Sequence, residues 1–92
     1  GRKRGIVTEE NQSISHALAT LEHIVKSVVE KPDEVQIDIQ VGESETTLAV
    51  KVGEGDMGRV IGRRGRIANA IRTVTRAAAV RDGIVISVEF ID

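Results

Sequence analysis

The spacing of apolar residues changes three times along the chain, and each change marks an element. From Ser15, Leu18, Leu21, Ile24, Val25 and Val28 recur at three- and four-residue steps, with Glu22, Lys26 and Glu30 between them. That spacing predicts an amphipathic helix, which Pro32 stops. The period then drops to two. Val35, Ile37, Ile39 and Val41 alternate with Gln36, Asp38 and Gln40, and after the turn Gly42-Glu43-Ser44-Glu45 the residues Leu48, Val50 and Val52 alternate with Thr47, Ala49 and Lys51. Two strands joined by so short a turn form an antiparallel hairpin.

Gly53-Glu54-Gly55 ends the second strand, and Asp56 stands where the N-cap of a short helix through Ile61 is expected. Beyond Gly62 the helical period returns, with Ile67, Ile71, Val74 and Ala78 as the expected buried stripe and Asn69, Arg72 and Arg76 on another face. Asp82-Gly83 reads as a turn, and Ile84 to Ile91 as a last strand with Ile84, Ile86, Val88 and Phe90 on one side. The expected order is α-β-β-α-α-β, a two-layer α+β domain with helices on one face of a three-stranded sheet. Residues 1–14 show no strong period and read as a flexible segment before a single domain over 15–92. Gly1 to Gly5 is either a non-native remnant or, through Arg2-Lys3-Arg4, a short basic arm.

Charge changes this picture more than composition does. Thirteen Lys and Arg against 14 Asp and Glu give a net charge of −1, which alone argues against a nucleic-acid partner. From Met57 to Arg81, however, there are seven arginines (Arg59, Arg63, Arg64, Arg66, Arg72, Arg76 and Arg81) and no acid. The other 6 basic residues are set against all 14 acids, a balance of −8. The local field steers a charged ligand, so the arginine segment is the footprint to weigh, against the plainer reading of a solvated helix face. Forty per cent hydrophobic and 29% charged residues suit a soluble globular chain of 92 residues. No apolar run is long enough to span a bilayer, and no signal-peptide core is present. The absence of cysteine excludes disulfides, thiolate metal sites and thiol nucleophiles. A cytoplasmic protein is expected; Asn11-Gln12-Ser13, with no export signal beside it, is a chance match to a glycosylation acceptor.

Within the basic segment, Ile61-Gly62-Arg63-Arg64-Gly65-Arg66-Ile67 places two arginines between two glycines. Glycine permits unusual dihedrals and close approach of backbone to a ligand. Arginine adds permanent charge and several donors, and a following helix offers free N–H groups at its first turn. The block Val60 to Ile71 resembles the signature of KH domains, in which a GxxG loop joins two helices, and the element order resembles the type II arrangement. The leading helix ending in Lys31-Pro32-Asp33, then Asp56-Met57-Gly58-Arg59-Val60-Ile61-Gly62, then Ala70-Ile71-Arg72-Thr73, is similar to the small stand-alone bacterial KH proteins of the KhpA type. The resemblance covers about residues 17–92. It implies that Gly62, Arg63, Arg64 and Gly65 hold the backbone of about four nucleotides of single-stranded RNA. It also implies an RNA-chaperone or regulatory role, and pairing as a homodimer or with a second KH-domain protein.

Competing motifs are weaker. Gly53-Glu54-Gly55-Asp56-Met57-Gly58 fits a dinucleotide-binding fingerprint, but Glu54 and Asp56 would crowd the pyrophosphate, and 34 residues beyond Gly58 are too few for a doubly wound sheet. His16 and His23 stand seven apart, about 10.5 Å along a helix, too far for one shared ion. Ser44 lies between Glu43 and Glu45 with no nearby histidine or nucleophile-elbow sequence. No catalytic group, metal or cofactor is therefore expected. Phe90 is the lone aromatic, so the stacking platform of an RRM or OB-fold cannot be built, whereas a KH groove needs none.

The expected function is non-catalytic binding of single-stranded RNA, with Arg63 and Arg64 on phosphates and Arg59 and Arg66 as flanking contacts. Ile61 and Ile67 are divided between core and groove, with core packing favoured for each. Asn69 and Arg72 are further candidates on the helix face. The alternative is a protein-interaction or dimerisation module with weak nucleic-acid affinity, using an exposed aliphatic surface.

Overall fold

The computed structural model describes residues 9–81 and 83–91. The elements run α1 (Glu9–Val28), β1 (Gln36–Val41), β2 (Thr46–Lys51), α2 (Met57–Ile61), α3 (Arg66–Arg81) and β3 (Ile86–Ile91), with one-turn 3-10 segments at Pro32–Glu34 and Arg63–Gly65. This is the expected α-β-β-α-α-β order. Helix α1 begins at Glu9, six residues before Ser15; Glu9-Glu10-Asn11-Gln12 contains no helix breaker, and acidic residues favour a first turn. The rest of the lead-in, including Arg2-Lys3-Arg4, and Asp82 lie outside the described residues.

The sheet order is β1-β2-β3. Strands β1 and β2 form the antiparallel hairpin, with Ile37 opposite Val50 and Ile39 opposite Leu48. Strand β3 lies parallel to β2, Val88 beside Leu48 and Phe90 beside Val50. A parallel neighbour requires a crossover connection, and α2 and α3 supply it. One core lies between the helices and the sheet, built on Ala17, Leu21 and Val25 of α1, Leu48 and Val50 of β2, Ile71 and Ala79 of α3, and Ile86 and Val88 of β3.

Two readings of the pattern are corrected here. The buried line of α3 is Ala68, Ile71, Thr75 and Ala79, not Ile67, Ile71, Val74 and Ala78. Ile67 and Val74 stand 38% and 46% exposed. The helix is rotated so that small residues face the core, as close packing of α3 on α1 and the sheet requires. The Thr75 hydroxyl is satisfied by the Ile71 carbonyl at 2.7 Å. On β1, Ile39 and Val41 alternate onto the same side as Ile37 but are exposed.

Asp56 stands at the expected N-cap position of α2, but its carboxylate makes no capping bond there. Only 2% exposed, it accepts the main-chain N–H groups of Glu30 and Lys31, each at 3.0 Å. The end of α1 is thereby fastened to the start of α2. The glycine pattern at 53–58 is part of the same junction: the Gly53 carbonyl accepts the Asp56 N–H at 3.0 Å, and the Lys31 ammonium donates to the Glu54 carbonyl at 3.0 Å.

Candidate nucleic-acid interface

Helix α2 is only five residues long, and Gly62 ends it by donating its N–H to the Gly58 carbonyl at 2.9 Å. Gly62 has φ 74° and ψ 176°, Arg64 has φ 59° and ψ 25°, and Gly65 has φ 73°. Three of the four loop residues thus occupy the left-handed half of backbone space, and Arg64 does so without being glycine. Such conformations cost of order 1–3 kcal/mol for a residue with a Cβ and concentrate at ligand-binding loops. Gly65 donates to the Gly62 carbonyl at 3.2 Å and Arg66 to the Arg63 carbonyl. Among the described residues, the main-chain N–H groups of Arg63 and Arg64 make no turn or cap bond. The donors left over therefore belong to the loop itself; the first amide of α3 is already used.

The two glycines are not equivalent. A Cβ on Gly62 would stand 2.6 to 2.9 Å from three carbons of Ile67, whereas one on Gly65 would meet nothing within 4 Å. Ile67 is thus the side chain that closes over Gly62, and Gly65 faces open space. Gly62→Ala is expected to lower stability by about 2–4 kcal/mol, from overpacking added to a positive φ. Gly65→Ala carries only the conformational cost, about 1–2 kcal/mol, and should weaken nucleic-acid binding by placing a methyl group where a backbone would approach. Thermal melts set beside binding curves for the two variants check this contrast.

The arginines divide by what holds them. Arg63, Arg64 and Arg66 are exposed, and their side chains make no hydrogen bond or ion pair among the described residues. Arg59 pairs with Glu30 at 2.8 Å and approaches Asp56 at 3.4 Å, so carboxylates already compensate much of its charge. Arg72 lies half-buried across β3: its Nε donates to the Val88 carbonyl at 3.2 Å, its Nη1 to Asn69 Oδ1 at 3.3 Å, and its guanidinium carbon sits 5.3 Å from the centre of the Phe90 ring. Phe90 itself is half-buried. Ile61 is half-buried against the core, as favoured for it, while Ile67 is the more exposed of the two. The structure therefore brings Gly62, Arg63, Arg64, Gly65, Arg66 and Ile67 together at one end of the domain, with Arg59 tethered beside them and Asn69 and Arg72 further along α3.

The acids nearest the loop, Glu30 and Asp56, are those paired with Arg59. Asp38 and Glu89 flank Ala49 on the face of the sheet turned away from the helices. Among the described residues no three His, Asp or Glu side chains converge as metal ligands would, and no helix is long and apolar enough to cross a membrane.

A GxxG loop between two short-connected helices, laid on a three-stranded sheet in the order α-β-β-α-α-β, defines a KH domain of the type II arrangement. The chain belongs to the KhpA/KhpB KH-domain family, whose model matches residues 19–90. A relative from Clostridium acetobutylicum, named RNA-binding protein KhpA, is 54% identical over 71 residues, covering 77% of this chain and 95% of its own. Proteins of the same name from Clostridium perfringens and Borreliella burgdorferi are 48% identical over 71 residues and 46% identical over 72. These cover 77% and 78% of this chain, and 95% and 88% of their own. No solved structure matches the chain significantly.

Proposed function

We propose that this chain binds single-stranded RNA and performs no chemistry on it, gripping about four nucleotides at the loop Gly62–Gly65. The observation that carries the reading is the cluster of arginines without a partner among the described residues, set in a loop with positive φ at Gly62, Arg64 and Gly65, with open space where a Cβ of Gly65 would stand. Arg63 and Arg64 take phosphates, and Arg66 supports them from the first turn of α3. Arg59 contributes less, because a phosphate must compete with Glu30 for it. Ile67 acts through Gly62, holding the loop rather than touching a base. The name shared by the bacterial relatives supports RNA as the ligand. The proposed role, on the family resemblance, is that of a cytoplasmic RNA chaperone or post-transcriptional regulator.

Three phosphate contacts on a single strand predict that log K falls with log salt at a slope of about −2, at roughly −0.7 per contact. Affinity should be about micromolar, as befits one small module. Fluorescence anisotropy of a short single-stranded RNA across a salt series measures both; tight binding with a slope near zero would remove the arginine loop as the site.

A second KH domain, this chain's own copy or another protein's, is the proposed protein partner. The support is an apolar cluster at the far end of the sheet from the loop, where Val41, Val80 and Val85 are 58%, 72% and 62% exposed. Pairing there would leave both loops open. Sedimentation of the RNA-free protein separates monomer from dimer.

A further inference from the structure

We infer that Arg72 is a base-stacking platform, a subsite that takes the flat face of one nucleobase of the strand held by the loop; the inference rests on the RNA-binding reading above. Arg72 was expected as one more polar contact on a helix face, but its surroundings do not suit a phosphate. A guanidinium grips phosphate edge-on through paired N–H donors. Here Nε is given to the Val88 carbonyl and Nη1 donates to Asn69, so the side-on Nε–Nη2 pair can no longer take a phosphate bidentately. Two of the five N–H donors are spent in holding a flat cation in place.

That plane is fixed from three directions, by the edge strand, by Asn69 and by the Phe90 ring beneath it. The side chain is nevertheless only half-buried, with the strand, Asn69 and the ring as its neighbours. The part of the guanidinium left open is where a base would lie. An immobilised guanidinium plane stacks bases as an aromatic ring does, with added cation–π attraction and little sequence preference. The sole aromatic of the chain thus contributes indirectly, as the support under an arginine. Arg72 lies seven residues past Gly65, about 10 Å along α3, within reach of the roughly four nucleotides that a GxxG loop holds.

The test compares phosphate loss with stacking loss. Arg72→Lys keeps the charge and removes the plane. With a single-stranded RNA of about six nucleotides, it should weaken binding about tenfold while leaving the salt slope unchanged. An abasic scan of the same RNA should find one position whose base matters to the wild type and no longer matters to the variant. Loss of slope, equal loss at every abasic position, or wild-type affinity would each overturn the platform. Should Arg72→Lys fail to fold, the wild-type complex decides: a base stacked on the guanidinium shifts the Arg72 Cδ protons upfield through its ring current, and unmoved Cδ protons refute the proposal. If RNA binds and the amides of Arg63 and Arg64 respond while Arg72 does not, the platform alone fails; if no RNA binds, the reading beneath it fails.

Discussion

Arg63→Asp combined with Arg64→Asp is expected to lower RNA affinity at least 100-fold while the protein remains folded. Both side chains are exposed and make no partner among the described residues, so their removal costs the fold little. The left-handed backbone at Arg64 is no obstacle, since Asp is among the few residues that visit it readily. A charge-assisted contact contributes about 1.5–3 kcal/mol, and each 1.4 kcal/mol is tenfold in affinity. Two lost contacts together with repulsion therefore carry a micromolar binder to about 0.1 mM or weaker. Anisotropy titrations paired with a thermal melt check both halves; a folded double variant with unchanged affinity would move the site elsewhere.

Asp56→Ala is expected to lower stability by about 3 kcal/mol. Its carboxylate is 2% exposed and accepts two main-chain N–H groups from the stretch that follows α1. Alanine would leave both donors without a partner at about 1–3 kcal/mol for a buried group. It would also free Arg59 from one of its two carboxylates. For a domain this size, 3 kcal/mol corresponds to a fall in Tm of roughly 15 °C, readable by circular dichroism. Asp56→Asn should recover part of the loss, because an amide oxygen can still accept one of the two bonds. A melting temperature within a few degrees of wild type for the alanine variant would mean that the α1–α2 junction is held by something else.

The element order was legible because each change of period coincided with a punctuating Pro or Gly: Gly42 and Gly62 fall between elements, and Pro32 opens the one-turn segment between α1 and β1. The loop was legible for the same reason: glycine spacing and charge are local properties of sequence. What was not legible is what depends on tertiary neighbours. The large aliphatics Ile67 and Val74 drew the expected stripe of α3 to one side, whereas the interface there selects Ala68, Thr75 and Ala79. A buried threonine hides its hydroxyl in the helix's own hydrogen bonding, so polarity is a poor guide to which face it takes. Asp56 carried a capping signal that the chain uses for a different pair of amides, 25 and 26 residues away. Arg59 and Arg72 counted as equal members of a basic segment, yet the structure assigns one to carboxylates and the other to a strand edge and a ring. Charge counting finds the segment; only packing sorts its members.

Amide chemical-shift mapping during titration with a short single-stranded RNA tests the central claim most directly. It reports every backbone N–H at once, including the Arg63 and Arg64 amides that make no turn or cap bond among the described residues. The account predicts that the largest shifts fall at Arg63, Arg64 and Gly65, extend into the first turn of α3, and leave the hairpin turn Gly42–Glu45 unmoved. Shifts centred on the hairpin turn or the Val41–Val85 end of the sheet, with the loop amides unmoved, would contradict it.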